Sequence, residues 1–391
     1  MTHDKIKSVL IFILPFSLSP FILVETGFMI EYSTLIVALP ILIFLANVHN
    51  IKVDSYAHIM LLTIFIQILL ISSQVIIFPN FGQMIKIFNY FAIFFIYFTL
   101  LSIVNLKTLA LLLIYLMMGM AFFATLSFFL AASSLLTPEV LFYRSPEEPI
   151  YLLFLSFTGV VYDLNGYYLV RPAGFFMEPG GLGLYIMLAI FLNKVSIKST
   201  KIEKYLLFFG LFSFSFGFYV SMFIYILFTY NLTKIIKTIL AAIFLWIVVY
   251  FFREDIVIFS TLNALFYSRF DISSGDLLAG MQARNDMNIL AFTSLLESPF
   301  FGTIIGSNDS HASFVGFISE NGVVGSLILL APLLWILILS IHRNIYIYIV
   351  ISVILWMNLY HRPFVGHILY VLFIFIIFEY MRRSCTFKKA K

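Results

Sequence analysis

Two arginines, Arg171 and Arg284, are the residues whose type and surroundings point most clearly to chemistry. Each lies in a long polar stretch of an otherwise apolar chain, residues 132–178 and 253–312, and neither stretch contains a lysine. Arginine holds phosphate through two parallel hydrogen bonds, which the point charge of lysine does not reproduce. We therefore expect both arginines to bind an anionic group, and Arg269, in the motif YSRFD, is a further candidate.

The motif RPAGFFMEPGG starts at Arg171 and ends the first polar stretch. Pro179 suits the first turn of a helix, and Glu178 suits its positive end, so Glu178 either caps the helix or contacts a substrate. A helix over 179–193 spans only about 20 Å, which would place Glu178 and Arg171 below the outer membrane surface. A sunken arginine needs an anion, either a ligand or an acid of the loop such as Asp163.

Arg284 begins an apolar helical pattern that ends before Pro299. A helix lying on the membrane there would present Arg284 near its amino end. The structural alternative is a surface ion pair of Arg284 with Asp286 or Asp276. Gly302 and Gly306 follow, and these two glycines allow a tight loop and a close approach of two backbone segments.

His311 stands at the outer end of a predicted membrane helix, where it is either a hydrogen-bonded structural group or a catalytic one. Glu320 lies nine residues later, which on a continuous helix is half a turn out of phase, so the two should not act as a pair. Gly322 and Gly325 indicate close helix packing. Lys86 is a further substrate-binding candidate because it is the only lysine predicted on the outer side.

Membrane helices must position these residues. Hydrophobic residues make up 62% of the 391 positions and charged residues only 11%, which predicts an all-α polytopic integral membrane protein. The single cysteine excludes an intrachain disulfide framework. About 20 apolar residues span a membrane. The runs that qualify, with 205–231 counted as two passes, are residues 6–24, 28–46, 57–78, 87–104, 109–131, 179–193, 205–231, 239–252, 313–340, 345–360 and 364–380.

The lysines at the ends of these runs orient the chain, with both termini in the cytoplasm. Lys204 and Lys234 flank residues 205–231 and both are predicted to be cytoplasmic, so that segment must form two short helices of a broken hairpin. This gives about twelve passes in a single membrane domain over residues 1–391, with the two polar stretches as large periplasmic loops. In the first loop, residues 150–161 are expected to lie along the interface. The break in the hairpin is expected near Ser213, Ser215 and Gly217.

The motifs of the two loops, taken in order, resemble those of the bacterial O-antigen polymerase/ligase family. RPAGFFMEP resembles the family's R-x-x-G-x-F-x-E/N-P element. Arg284, Pro299, Gly302 and Gly306 resemble an arginine followed by a proline and a G-x-G-like turn, here GTIIG. SHASFVGFISENGVVG resembles H-N-x-x-L followed by E-x-G-x-x-G, with Ala312 where asparagine is common.

The resemblance implies a glycosyltransferase of lipopolysaccharide biosynthesis at the periplasmic face of the inner membrane. Its substrates would be repeat units on undecaprenyl diphosphate; an acceptor hydroxyl attacks the donor's anomeric carbon and lipid diphosphate leaves, without a metal or other required cofactor. Arg171 and Arg284 would hold the diphosphate, and His311 would assist the hydroxyl or hold the diphosphate. The implied partners are these lipid-linked units, the bilayer and a chain-length regulator.

Three functions remain open at this stage. An O-antigen polymerase joins repeat units into a chain, whereas a ligase of the same family transfers finished glycan to lipid A core, and the motifs do not separate the two. A lipid-linked oligosaccharide flippase would line a central cavity with charged residues, which the apolar spans lack. Nucleic-acid binding is excluded because the chain has no basic patch.

Overall fold

We describe the fold from a computed structural model of the chain. It describes residues 105–145, 148–159, 161–164, 167–176, 178–252, 276–300, 302, 314–343, 345–361 and 368–386, with isolated helical positions between 62 and 72. The chain divides into two compact units, one within residues 1–113, 191–198 and 283–391 and the other within 114–190 and 199–282. Helices account for most of the described residues, as the composition predicts.

The helices follow the predicted apolar runs closely after residue 105. Five of the predicted runs, 109–131, 179–193, 313–340, 345–360 and 364–380, fall largely or wholly on described helices. The run 239–252 belongs to a helix that begins earlier, at Leu232. The runs before residue 105 lie outside the described residues, except for the isolated helical positions. The described helices are α1 (Leu106–Ala132), α2 (Pro179–Ser196), α3 (Thr200–Gly210), α4 (Phe216–Thr229), α5 (Leu232–Phe251), α6 (Asp276–Glu297), α7 (Phe314–Arg343), α8 (Tyr346–His361) and α9 (Ile368–Thr386).

The first polar stretch corrects the all-α expectation, because it contains β-strands. Three of them form an antiparallel sheet in the order β1-β2-β3, and two form a separate hairpin. These short runs are rich in aromatic and β-branched residues, which favour strands, and turns separate them. The segment 150–161, expected along the interface, supplies parts of β2, β3 and β4. The strands are β1 (Glu139–Ser145), β2 (Glu148–Leu153), β3 (Ser156–Thr158), β4 (Val161–Leu164) and β5 (Tyr167–Val170).

The predicted break within residues 205–231 is confirmed. Helix α3 ends at Gly210, a 3₁₀ turn covers Leu211–Ser213, and α4 begins at Phe216. The hydroxyl of Tyr225 donates a hydrogen bond to Glu203 Oε1 at 2.9 Å, and that of Tyr230 does so at 2.8 Å. Since Glu203 lies near the start of α3 and the tyrosines near the end of α4, the two helices run antiparallel.

The two arms of this hairpin are short. Helix α3 has 11 residues and α4 has 14, which correspond to about 16 Å and about 21 Å at 1.5 Å per residue. A hydrocarbon core is about 30 Å thick, so neither arm alone matches a full crossing. A Cβ at Gly210 would clash with the ring of Phe218, so glycine permits the close approach of α3 to α4.

In the other unit, α7 packs against both α8 and α9. Helix α7 is broken at Gly322, whose backbone has φ 64° and ψ 175°. The element therefore consists of two helical segments that meet at this glycine. The buried carboxylate of Glu379 lies near the end of α9. It forms ion pairs with Arg382 and Arg383, one turn further along the same helix.

Two helices in the described part of the chain, α1 and α2, are long and apolar enough to cross a membrane. This finding concerns their length and composition. Helix α2 has 18 residues, or about 27 Å, somewhat longer than the sequence predicts.

Candidate functional site

The backbone around Arg171 is fixed beside strand β3. The hydroxyl of Thr158 donates to the carbonyl oxygen of Arg171 at 2.7 Å. Ala173 N donates to Phe157 O at 2.7 Å, and Phe157 N donates to Gly174 O at 2.7 Å. Arg171 therefore starts a short extended segment that is held next to the sheet of the first loop, so its Cα has a defined position.

The side chain of Arg171 reaches the tip of the α3–α4 hairpin. Its Nη2 donates to the carbonyl oxygen of Phe214 at 3.1 Å. Its Nε is buried and has no hydrogen-bond partner among the described residues. An unsatisfied buried donor costs about 1–3 kcal/mol, so this guanidinium is poised to bind an acceptor. An ion pair with Asp163 is not tested, because the side chain of Asp163 lies outside the described residues.

The hairpin tip has a well-defined local structure. Phe214 has left-handed backbone angles, φ 48° and ψ 32°, an uncommon conformation for a bulky residue. Two buried serines flank it. Ser213 Oγ donates to Gly210 O at 2.8 Å, and Ser215 Oγ accepts from Phe218 N at 3.3 Å and so caps α4.

An apolar cluster joins the hairpin tip to the sheet and to α1. Phe128, Ala131 and Ala132 of α1 pack with Leu153 and Val170 of the sheet region in a fully buried group. The rings of Phe212 and Phe214 pack against this group, and the centroids of the Phe128 and Phe214 rings are 5.0 Å apart. Since Val170 precedes Arg171, one apolar cluster anchors both partners of the guanidinium–carbonyl hydrogen bond.

Helix α2 packs closely against the start of α4. A Cβ at Gly183 would lie 2.8 Å from Phe218 Cβ and 2.9 Å from Ser215 Cβ, distances that real Cβ atoms do not adopt. Pro179 is the first residue of α2, as predicted, and Glu178 precedes it, half-buried. The Gly181 N–H donates to the Glu178 carbonyl oxygen at 3.0 Å. Glu178 thus has the position of a residue at the positive helix end, and its role in binding substrate stays a prediction.

The other predicted site residues are described less fully. Arg284 lies in α6, which begins at Asp276 and ends at Glu297, before Pro299 as predicted. The side chain of Arg284 lies outside the described part of the chain. The predicted helix therefore exists but begins earlier than the apolar pattern indicates. Asp286, one of the acids considered as its partner, is exposed. His311, Arg269 and Lys86 lie outside the described residues.

In the second polar stretch, Gly302 meets the break in helix α7. Val323 N donates to Pro299 O at 2.9 Å, and Val324 N donates to Phe300 O at 3.2 Å. A Cβ at Gly302 would clash with the carbonyl oxygen of Glu320, and Gly302 has φ 79°. The predicted close backbone approach is therefore confirmed at Gly302, whereas Gly306 lies outside the described residues.

One prediction about this region is wrong, and a second is not reached by the described residues. Gly322 does not serve helix packing as a helical residue; it breaks α7, and a Cβ there would clash with the backbone of Phe300. The phase argument that separated His311 from Glu320 assumed a continuous helix through both. His311 lies outside the described residues, so its separation from Glu320 stays a prediction.

Sequence reasoning missed one feature of the site, at Phe214, and one of the hairpin that carries it, at Glu203. Phe214 contributes a backbone carbonyl, and residue type carries no signal for that. Glu203 appears in a Lys-rich link, KVSIKSTKIEK, yet it is only 4% exposed and binds two tyrosine hydroxyls. The available signal was Ser199, which caps α3 by accepting from Ile202 N and so places Glu203 inside the helix.

Comparisons with known proteins identify no relative of this chain. No protein-family model matches it, no curated protein matches it significantly, and no solved structure does.

Proposed function

We propose that the protein is an O-antigen polymerase, a glycosyltransferase that joins undecaprenyl-diphosphate-linked repeat units at the periplasmic face of the inner membrane. In this proposal it is a single membrane domain of about twelve passes, two of which are the short arms of the broken α3–α4 hairpin packed within protein. Both termini lie in the cytoplasm, and the two polar stretches form large periplasmic loops. The observation that carries the proposal is the buried Nε of Arg171, which has no hydrogen-bond partner within the described part of the chain.

The surroundings of Arg171 support an anionic ligand. The guanidinium has five N–H donors, and one hydrogen bond joins it to a described residue, the carbonyl of Phe214. No ion pair between Arg171 and a described side chain accompanies that bond. A diphosphate offers charged oxygens in a geometry that arginine binds through two parallel hydrogen bonds. Binding of such a group would satisfy the buried Nε.

The exposed surface of α5 supports a location in the bilayer. Phe244 is 68% exposed and Phe251 is 73% exposed. A contiguous apolar surface of this kind is unusual for a helix in water and normal for one in contact with lipid. The exposed apolar residues of α5 are Ile236, Leu240, Ile243, Phe244, Ile247, Tyr250 and Phe251.

The proposed reaction is a substitution at the anomeric carbon of the donor sugar. A hydroxyl oxygen of the acceptor forms a bond to that carbon, the bond from that carbon to the diphosphate oxygen breaks, and the acceptor proton is lost. Negative charge develops on the leaving diphosphate, so a positive group held beside it lowers the barrier. Arg171 has that role. Arg284 and His311 enter from the motif resemblance, Arg284 as a second phosphate ligand and His311 as the group that receives the proton or holds the diphosphate.

The test is a gel of lipopolysaccharide from a strain that lacks the gene, with lipid-linked intermediates analysed in parallel and the wild-type gene returned as control. A polymerase predicts the loss of the ladder, with a single repeat unit on the core. Bare core with long chains left on the carrier would establish a ligase instead. Bare core with single units trapped in the cytoplasmic leaflet would establish a flippase. An unchanged ladder would refute a role in this glycan.

A further inference from the structure

The hairpin tip holds Arg171 by a main-chain atom. The bond from Arg171 Nη2 to Phe214 O joins residues that are 43 positions apart in the chain. The side chain of Phe214 contributes nothing to this hydrogen bond. The direction of the carbonyl, and with it the orientation of the guanidinium, is set by the backbone angles at the tip.

Those backbone angles are unusual. Phe214 is one of the non-glycine residues with a positive φ in the described part of the chain, at 48°. A phenylalanine in the left-handed region is strained. Such a conformation persists only where contacts with the surrounding structure hold the backbone in it. The surroundings do so here, because Phe214 N donates to Leu211 O at 3.4 Å and Ser215 N donates to Ser213 Oγ at 3.4 Å.

The tip is also held from outside the hairpin. The Phe214 ring packs 5.0 Å from that of Phe128 in α1, and Ser215 lies against Gly183 of α2 so closely that no Cβ fits between them. Both helices belong to the same compact unit as the hairpin over these residues. The carbonyl group of Phe214 is therefore held in a fixed position relative to the segment that carries Arg171.

We propose that Phe214 is a positioning residue, whose left-handed backbone directs its carbonyl at Arg171 and so aims the guanidinium at an anionic, diphosphate-bearing lipid. This inference rests on the proposed function and extends it, because it makes the tip of the α3–α4 hairpin part of the binding site. The carbonyl oxygen of Phe214 accepts a hydrogen bond from Nη2 of Arg171 and so fixes the plane of the guanidinium. The Nε edge is then left for the ligand.

The experiment compares two substitutions that both remove the ring and differ in backbone preference. Phe214→Asn keeps the carbonyl in a left-handed conformation, which asparagine adopts readily, whereas Phe214→Val disfavours it because valine is β-branched. The purified full-length protein in detergent is titrated with geranylgeranyl diphosphate, a short isoprenoid diphosphate. We expect Phe214→Asn to bind within about threefold of wild type and Phe214→Val to bind at least about tenfold more weakly. Hydrophobicity alone would predict the reverse order.

A double-mutant cycle separates positioning from general damage. In an Arg171→Ala background, Phe214→Val should weaken binding no further, because its effect passes through the guanidinium. If Phe214→Val does not fold, Phe214→Gly and Phe214→Ala take its place, with glycine expected to bind the probe more tightly than alanine. Equal affinities across the series, or a loss in Phe214→Asn as large as that in Phe214→Val, would overturn the proposal.

The two proposals fail in different ways. If Arg171→Ala abolishes chain growth while the Phe214 variants all bind and polymerise like wild type, the positioning role falls and the proposed function stands. If Arg171→Ala leaves chain growth and probe binding unchanged, the proposed use of Arg171 falls and the positioning role falls with it.

Discussion

Tyr230 donates a hydrogen bond to Glu203 Oε1 at 2.8 Å across 27 residues of chain. This contact, together with that of Tyr225 at 2.9 Å, ties the end of helix α4 to the start of helix α3. The chain therefore enters and leaves the α3–α4 hairpin at the same end. The tip, with Phe214 and its hydrogen bond to Arg171, lies at the opposite end of the hairpin.

Loss of these hydrogen bonds should destabilise the hairpin. Glu203 is 4% exposed, and Tyr230→Phe removes one of the two hydrogen bonds to its Oε1 while that of Tyr225 remains. We expect Tyr230→Phe to lower the free energy of unfolding by about 1–3 kcal/mol, measured by unfolding of the purified protein in detergent. Tyr115→Phe is the control, because it removes a hydroxyl from a residue that is 57% exposed. Equal stability of the two variants would show that the contact does not hold the hairpin closed.

The sequence predicts this hairpin from charge alone and misses what lies at its ends. If the lysines on both sides of residues 205–231 are cytoplasmic, as predicted, the segment must cross the membrane an even number of times, and serines near its middle indicate the break. The sequence does not single out Glu203 because four lysines surround it. Its contact with α4 depends on its position on helix α3, which begins after Ser199. The carbonyl of Phe214 depends on one backbone angle and on packing between distant segments, which residue types do not encode.

Other differences between sequence and structure have similar physical causes. The strands of the first loop are short, and the apolar residues 150–161 are expected to lie along the interface until local strand pairing is considered. Gly322 has the spacing of a packing glycine within an apolar helix. Its role in breaking α7 becomes visible only when Pro299 and Phe300 accept hydrogen bonds from Val323 and Val324.

The contact between Gly302 and Gly322 predicts a strong effect of small substitutions. Gly302→Ala adds a Cβ that clashes with the carbonyl of Glu320, at a position with φ 79°. Left-handed strain alone costs about 1–3 kcal/mol, and the clash adds to it. We expect the yield of folded protein, measured by size-exclusion chromatography in detergent, to fall sharply.

Gly325→Ala is the matched control for Gly302→Ala. Gly325 lies in the same helix as Gly322, and the nearest atom to an added Cβ is Asn321 Cβ at 3.3 Å. Alanine is favoured over glycine in a helix by about 1 kcal/mol, so Gly325→Ala should give a yield close to that of wild type. A normal yield for Gly302→Ala would show that the two backbone segments do not need to approach closely.

The topology can be tested with fused reporters. If the hairpin enters and leaves at the cytoplasmic side, a reporter at Lys198 and one at Lys237 should both read cytoplasmic. One at Ser274, in the second polar stretch, should read periplasmic. A periplasmic reading at Lys237, or a cytoplasmic one at Ser274, would refute the proposed orientation of the second loop.

Arg284 is expected to contribute a second phosphate contact. Arg284→Lys keeps the charge but not the planar pair of donors, so we expect chain growth to be lost while the protein inserts normally. The O-antigen ladder of a complemented strain measures this, with an immunoblot of membranes for protein level. Arg253→Lys, at the start of the same polar stretch, is the control and should retain the ladder.

The most direct test of the account replaces Arg171 by lysine. A strain that lacks the gene is complemented with wild type, Arg171→Lys or Arg144→Lys, at equal protein levels in the membrane, and the O-antigen ladder is compared on a gel. We predict that Arg171→Lys leaves a single repeat unit on the core, because lysine offers a point charge in place of two parallel hydrogen bonds. Arg144→Lys, in strand β1 of the same loop, should keep the full ladder. A full ladder from Arg171→Lys would contradict the claim that this guanidinium binds the departing diphosphate.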